Sequence, residues 1–250
     1  MPEKILESGR VLVVDDNEEL AENIAEILSD IGVRVTVARD ATEALEVFDQ
    51  CEWSLVVTDM RMPKIDGLEL LKLLKDRRPS TPILVMTGFA DPDTIASAQR
   101  SGAYGVLNKP IDLDDLISLV ERIADAKTPV LIVEDDIALC GNLIEILSEQ
   151  RGILPHPATN LALARQLAAQ IDFGLVLLDL RLPDGDGLSL ARELRHRADG
   201  SLRPMILMSG YPEELDRAHT DECDLTVLTK PFAVPRLVER LRQLMPNNVP

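Results

Sequence analysis

The sequence predicts two doubly wound α/β domains in tandem, and three observations carry that expectation. First, the chain is written twice. VLVVDDNEELAENIAEIL from Val11 returns as VLIVEDDIALCGNLIEIL from Val130, and VVTDMRMPKIDGLELL from Val56 returns as VLLDLRLPDGDGLSLA from Val176. PILVMTGF from Pro82 returns as PMILMSGY from Pro204, and GVLNKP from Gly105 returns as TVLTKP from Thr226. The four offsets are 119, 120, 122 and 121 residues, far longer than a solenoid repeat, so the repeated unit is a whole domain. Second, each copy alternates short apolar runs with stretches of helical periodicity. Third, the short runs are apolar throughout (VLVV, SLVVT, ILVM), as expected where helices cover both faces of a parallel sheet.

In the first copy the elements follow in order. Val11–Val14 reads as a strand. Glu18–Ile31 carries Leu20, Ile24, Ile27, Leu28 and Ile31 at steps that line one helix face. Strands at Val33–Val37, Leu55–Thr58, Ile83–Met86 and Gly105–Leu107 alternate with helices at Glu43–Phe48, Leu68–Lys75, Thr94–Ser101 and Leu113–Ala124. Five strand–helix units in one copy make a small doubly wound domain. The last helix runs through Asp125–Pro129 into a strand at Val130, so the expected boundary separates residues 1–126 from 127–250, with few residues to act as a linker.

Composition narrows the function. The 250 residues are 46% hydrophobic and 28% charged, a globular balance, with a formal net charge of −17. Such acidity argues against a nucleic-acid or anionic-membrane surface, which needs a basic stripe. Cys51, Cys140 and Cys223 are widely spaced and odd in number, which fits neither a disulfide framework nor a zinc site. The N-terminal MPEKILESGR lacks the apolar stretch of a signal peptide, and no later run approaches a membrane span. A soluble, cytoplasmic protein is expected.

In open α/β sheets the site lies beyond the carboxyl ends of the strands. There the first copy places Asp15-Asp16, Asp59, Thr87 and Lys109, and the second Glu134-Asp135, Asp179, Ser209 and Lys230. Carboxylates gathered in one pocket repel, by roughly 4 kcal/mol per pair at ~4 Å and an effective dielectric of about 20. Such a cluster calls for a cation, and oxygen-only ligands favour Mg2+. A lysine and a hydroxyl opposite would suit the outer oxygens of a phosphoryl group. Dinucleotide, P-loop and flavodoxin-type mononucleotide sites need a Gly-rich turn after the first strand, where DDNEE and EDDIA would instead repel phosphate. A DxD-type phosphatase would carry a second acid where Arg61 and Arg181 stand.

Taken together, the acid pairs, DMRMPKIDG and DLRLPDGDG, the MTG and MSG turns and the Lys-Pro dipeptides resemble the receiver (response-regulator) domains of bacterial two-component signalling. The resemblance covers Arg10 to about Met245. It implies a flavodoxin-like (βα)5 fold with parallel strand order 2-1-3-4-5 in each copy. It implies that Asp59 and Asp179 accept a phosphoryl group from a sensor histidine kinase or a phosphotransfer protein. Asp16 and Asp135 would bind Mg2+ directly, Asp15 and Glu134 through water, with the carbonyls of Arg61 and Arg181 completing the set. Thr87 or Ser209 would turn toward the phosphoryl oxygens and Lys109 or Lys230 would pair with them. The Lys-Pro bonds would be cis. The protein would then be a regulator that assists its own phosphorylation and dephosphorylation, and no enzyme in the ordinary sense.

Two departures stand out. The aromatic residue that the family usually places three positions before the lysine is Val106 or Val227 here. Tyr104, two residues earlier, is expected on the same strand face, and the second copy has Leu225 there. Conversely, Phe89 and Tyr211 follow the hydroxyl by two residues and, with Arg61 and Arg181, are expected to restrict water at the pocket.

Other residues have plainer readings. Asp136 is expected to cap a helix, and Asp112, Asp114 and Asp115 to start one. His156, His196 and His219 are expected on the surface, Cys51, Cys140 and Cys223 as core or helix residues, and Trp53 at a loop edge. Only PNNVP follows Met245, so output is expected through contacts with a downstream protein. The face around Asp93–Arg100 and Asp112–Ala124, with its counterpart, would make them. The short join would allow an intramolecular pseudo-dimer, and a homodimer is the other expected assembly. The alternative is the C-terminal receiver portion of a hybrid sensor histidine kinase or larger regulator. Residues 1–126 hold 25 acids and 13 bases against 18 and 13 in 127–250, so the two copies are not expected to serve the same partner.

Overall fold

The computed structural model describes residues 9–88, 92–126, 128–150, 152–197, 199–211 and 226–245. The chain divides into two units, Met1–Asp125 and Ala126–Pro250. In the first, β1 (Arg10–Val14), α1 (Glu18–Asp30), β2 (Arg34–Ala38), α2 (Ala41–Phe48), β3 (Leu55–Asp59), α3 (Gly67–Arg77), β4 (Ile83–Thr87), α4 (Pro92–Arg100), β5 (Gly105–Asn108) and α5 (Leu113–Asp125) follow one another. The strands form one parallel sheet in the order β2-β1-β3-β4-β5.

Strands β3 and β4 are buried at every residue and β1 at all but its first, which is why these runs are apolar on both faces. On one face Leu12, Val14, Val56, Ile83 and Val85 pack with Ala44 and Phe48 of α2 and with Leu70, Leu71 and Leu74 of α3. Trp53 closes the edge of that core and its indole N–H donates to the Phe48 carbonyl at 3.2 Å. Helices start where a side chain can take an orphan amide. Asn17 accepts from the Leu20 N–H, Asp40 from Glu43 and Asp66 from Glu69, at 3.2, 2.9 and 2.8 Å.

The second unit repeats the plan. Here β6 (Thr128–Val133), α6 (Ile137–Ser148), β7 (Ile153–Ala158), α7 (Leu161–Ala168) and β8 (Leu175–Asp179) are followed by a short antiparallel hairpin, β9 (Arg181–Leu182) and β10 (Gly185–Asp186). Then come α8 (Gly187–Leu194), β11 (Met205–Ser209), β12 (Thr226–Thr229) and α9 (Val234–Leu244). The five-stranded sheet runs β7-β6-β8-β11-β12, the same order as in the first unit. The expected join at Asp125–Pro129 is shorter in the structure, because α5 continues to Asp125 and β6 already begins at Thr128. The counterpart of α4, with His219, Cys223 and Leu225, lies outside the described residues, as does Phe89. Among the described residues no helix is long and apolar enough to cross a membrane.

His156 corrects an expectation. Set between two prolines, it reads as a surface residue, yet it is buried on β7 with its ring edge-on to Phe173 at 5.6 Å. Since β7 is an edge strand paired only with β6, Pro155 and Pro157 cost the ladder nothing when their nitrogens face the open side. His156 points to the opposite face from the two prolines, into the core. His196 is exposed, as expected.

Two glycines hold the sheet end and the helix start together. A Cβ on Gly67 would stand 2.0 Å from the Asp59 carbonyl oxygen, and one on Gly187 would stand 2.2 Å from that of Asp179. The closeness is needed, because the Gly67 and Gly187 amides donate to the carbonyls of Met60 and Leu180, each at 2.9 Å. Gly67→Ala is therefore expected to destabilise the first unit by about 1–3 kcal/mol, as overpacking does. Gly88→Ala, whose Cβ would meet nothing within 4 Å, is expected to change it little. Urea unfolding followed by the fluorescence of Trp53, the one tryptophan, checks both.

Candidate functional site

The parallel register brings the strand ends, and the residues that follow them, to one edge of each sheet. Asp59 ends β3 and Thr87 ends β4, while Asp15 and Lys109 directly follow or closely follow β1 and β5. The ladder continues past the strands through Asp15 N–H to Ala38 (3.2 Å), Met60 N–H to Met86 (2.8 Å) and Lys109 N–H to Thr87 (2.7 Å). The second unit places Asp179 and Ser209 at the ends of β8 and β11, with Glu134 after β6 and Lys230 after β12. Both Lys109-Pro110 and Lys230-Pro231 are cis.

A single ammonium ties each pocket together. Lys109 Nζ lies 2.8 Å from Asp15 Oδ2 and 2.7 Å from Asp59 Oδ1. Lys230 Nζ lies 2.6 Å from Glu134 Oε2 and 2.8 Å from Asp179 Oδ2. All four carboxylates are buried. Backbone amides hold the remaining oxygens: Asn17 N–H donates to Asp15 Oδ1 at 2.9 Å and Arg61 N–H to Asp59 Oδ2 at 3.0 Å. In the second unit Asp136 N–H donates to Glu134 Oε1 at 3.3 Å and Arg181 N–H to Asp179 Oδ1 at 3.2 Å. Asp136 also caps α6, accepting from Ala138 and Leu139.

The charges settle as this geometry requires. Burial alone would lower both lysines, but the hydrogen bonds and charges of their two carboxylates more than reverse it, so Lys109 and Lys230 are held above the ordinary lysine value. Burial pushes Glu134 up, and Lys230 offsets only part of that. Asp16 and Asp135 stand exposed at the rim, each with a ligand oxygen within 4.8 Å of those of its two buried partners. Three carboxylates and one ammonium leave each pocket at about −2, the charge a divalent cation balances, and every side-chain donor is a hard oxygen. Those donors suit Mg2+.

At the rim of the second pocket stand Tyr211 and Arg181, the pair that the sequence singles out there. The Arg181 guanidinium lies over the Tyr211 ring at 3.4 Å, and Tyr211 N–H donates to Ser209 Oγ at 3.0 Å. Tyr104 is buried just before β5, while Val106 and Val227 are half-buried. The β9–β10 hairpin beside Asp179 is absent from the sequence reading, since each of its strands is too short to show a period.

Comparison with known proteins agrees with the geometry. The response regulator receiver domain profile matches the chain twice, at residues 11–121 and 130–242. Response regulator receiver protein Anae109_2439 of Anaeromyxobacter sp. is 34% identical over 235 residues, 94% of either chain. The DNA-binding transcriptional regulator NtrC of Escherichia coli K12 is 37% identical over 117 residues, 47% of this chain and 25% of NtrC. The match thus spans about a quarter of the length of that relative. Among solved structures, the receiver domain of the Francisella response regulator 1452 is 31% identical and covers 47% of this chain and 97% of its own, with a TM-score of 0.45.

Removing the ammonium tests the electrostatic account. Lys230→Met leaves Glu134 and Asp179 buried side by side without their cation, which is expected to cost the second unit about 3 kcal/mol or more. Thermal melting with and without Mg2+ checks this: the loss is expected to be largest in the absence of metal. An unchanged melting temperature would contradict it.

Proposed function

The chain belongs to the response regulator receiver domain family, one receiver unit used twice, and from that premise we propose that it is a phosphoacceptor of two-component signalling. Asp59 and Asp179 take the phosphoryl group from a phosphohistidine on a sensor histidine kinase or phosphotransfer protein. One observation carries the reading in both units. A buried carboxylate at the end of a central strand has one oxygen on a lysine ammonium and the other on a backbone amide.

Held at both oxygens, the carboxylate keeps one orientation, and a remaining lone pair is presented outward to the incoming phosphorus. The new P–O bond forms as the P–N bond of the donor breaks, and that electron pair returns to the donor imidazole. Asp16 and Asp59, or Asp135 and Asp179, with the carbonyl of Arg61 or Arg181 and with Asp15 or Glu134 through water, would hold Mg2+, which would supply charge neutralisation at the phosphoryl oxygens. Lys109 or Lys230 then transfers its ion pair from the acceptor carboxylate to a phosphoryl oxygen. The Thr87 or Ser209 hydroxyl donates to another. The chain thus assists its own modification and its reversal. The signal leaves through protein contacts on the face of α4, β5 and α5, around Asp93–Arg100 and Asp112–Ala124. Phosphorylation moves that face only by the difference in its interactions with the two conformations.

Intact mass after acetyl phosphate and Mg2+ tests the proposal on the unaltered chain and on Asp59→Asn and Asp179→Asn. Two phosphoryl groups are expected on the unaltered chain and one on each variant, with none when Mg2+ is chelated. No gain on either unit would overturn it. At the second pocket, the Tyr211 ring under Arg181 restricts water, so Tyr211→Ala is expected to shorten the life of the phosphoryl group on Asp179 several-fold. The rate of mass loss after removal of acetyl phosphate measures this, and an unchanged rate would contradict it.

A further inference from the structure

The two acceptor loops are anchored differently. In the second unit the loop after Asp179 folds into β9 and β10, with Gly185 paired to Leu182 and Asp186 to Arg181. At the turn, both carboxylate oxygens of Asp184 accept from the first two amides of α7. Leu161 N–H donates to Oδ1 at 2.9 Å and Ala162 N–H to Oδ2 at 3.0 Å. Asn160 takes the third, from Leu163, at 2.8 Å. One turn along, the Arg165 guanidinium makes a two-pronged pair with Glu193 of α8, at 2.8 and 2.9 Å. The hairpin is therefore fastened to α7, and α7 to α8, the helix that starts against the Asp179 carbonyl.

The first unit has neither the hairpin nor a carboxylate in place of Asp184 among its described residues, and its α3 is tied to α2 only at their far ends, by Arg77 at 3.7 Å from Asp49 Oδ2 and by Arg78 over the Phe48 ring. The position of Asp184 is taken by Lys64, at φ 70°, whose side chain is 78% exposed and whose ammonium stands 3.9 Å from Asp40 Oδ2. An exposed ion pair at that distance holds a loop weakly. At the start of α2 the cap residue Asp40 itself takes the Glu43 and Thr42 amides, with no carboxylate from the loop after Asp59.

We infer that Asp184 is a positioning residue for the second pocket: by fastening the hairpin to α7 it fixes the Arg181 backbone against Asp179, so that this pocket takes Mg2+ and phosphoryl with less ordering than the first. The inference rests on the phosphoacceptor reading above. Arg181 is the link, because its amide holds Asp179 Oδ1 and its neighbours in β9 are those the Asp184 turn constrains. Asp184 touches neither metal nor phosphoryl group and acts through backbone position alone.

The experiment uses the full chain, phosphorylated with acetyl phosphate over a range of Mg2+ concentrations, with gain at Asp59 and at Asp179 read separately by peptide mass. In the unaltered chain the half-saturating Mg2+ is expected to be lower at Asp179 than at Asp59. Asp184→Ala is expected to raise it at Asp179 by roughly threefold or more, less than the roughly 10–100-fold that a direct outer partner of a metal ligand contributes, because Asp184 acts one step further out. Asp59 in the same molecule stays unchanged and serves as the internal reference. Asp184→Asn, which keeps the shape and one acceptor oxygen, is expected to fall between, and it replaces Asp184→Ala if that variant loosens the whole unit. A lower melting temperature with an unmoved Mg2+ midpoint at Asp179 would reduce Asp184 to a structural role and overturn the inference. Absence of any gain at Asp179 in the unaltered chain would instead overturn the phosphoacceptor reading on which it rests.

Discussion

Each unit is organised around one ammonium shared by two buried carboxylates. Without Lys109, Asp15 and Asp59 would be two like charges held in a dry pocket; with it, each has a charge-assisted bond of ordinary length. The rest of the fold can be read as what that arrangement demands. The acids must leave adjacent strands at the same level, which the β1–β3 pairing secures. The lysine must come from the far side of the sheet, so β5 has to end beside β4, as the pairing of Thr87 with Asn108 requires. The helix after Asp59 must start close enough to take up the turn, and only a residue without Cβ fits there. Because the ammonium balances one charge of three, the pocket stays attractive to a cation at its open, Asp16 side.

The second unit meets the same demand with other residues. Glu134 replaces Asp15 with a side chain one methylene longer, and its oxygen still lies 2.6 Å from Lys230, with the other oxygen on an amide two residues along. Ser209 replaces Thr87. What differs among the described residues is the loop after the central strand, which in the second unit folds into a hairpin anchored by Asp184. The inner charges are fixed by the chemistry of the site, whereas the loops around them are free to set how firmly it is held.

Most of this was legible in the sequence because each signal was both local and repeated. Apolar runs such as VLVV and ILVM give the central strands, and the polar residues that end them fall at the edge where parallel strands leave their ligands. Reading failed where the cause was not local. His156 lies between prolines that mark a surface, and only its place on an edge strand sends it inward. The hairpin depends on amides of α7 some twenty residues upstream, which no window of sequence contains. Nor does any pattern mark Lys75, in the last turn of α3, whose ammonium donates to the carbonyls of Pro79 and Thr81 at 3.0 and 2.9 Å and whose pKa burial lowers to about 7. Arg195 does the same service for the Arg203 carbonyl at 3.1 Å.

The uneven charge of the chain acquires a location from the fold. Helix α1, which leaves the first pocket at Asp16, carries Glu18, Glu22, Glu26 and Asp30 at four-residue steps on its exposed side, with no base among them. At the same steps α6 carries Ile137 and Gly141, and then Glu145, with Glu149 at its cap. Like charges four residues apart weaken a helix slightly, and the last two in α1 also lie at the wrong end of its dipole. Apart from the exposed pair of Glu18 with Arg39 at 3.1 Å, the stripe adds little to the fold of the first unit, and its effect falls on whatever approaches. Complementary charge acts on encounter rate and on the rejection of wrong partners before any contact forms at the pocket. Two pockets with nearly the same inner chemistry are thus reached across surfaces of different charge, so duplication of the site did not duplicate its approach.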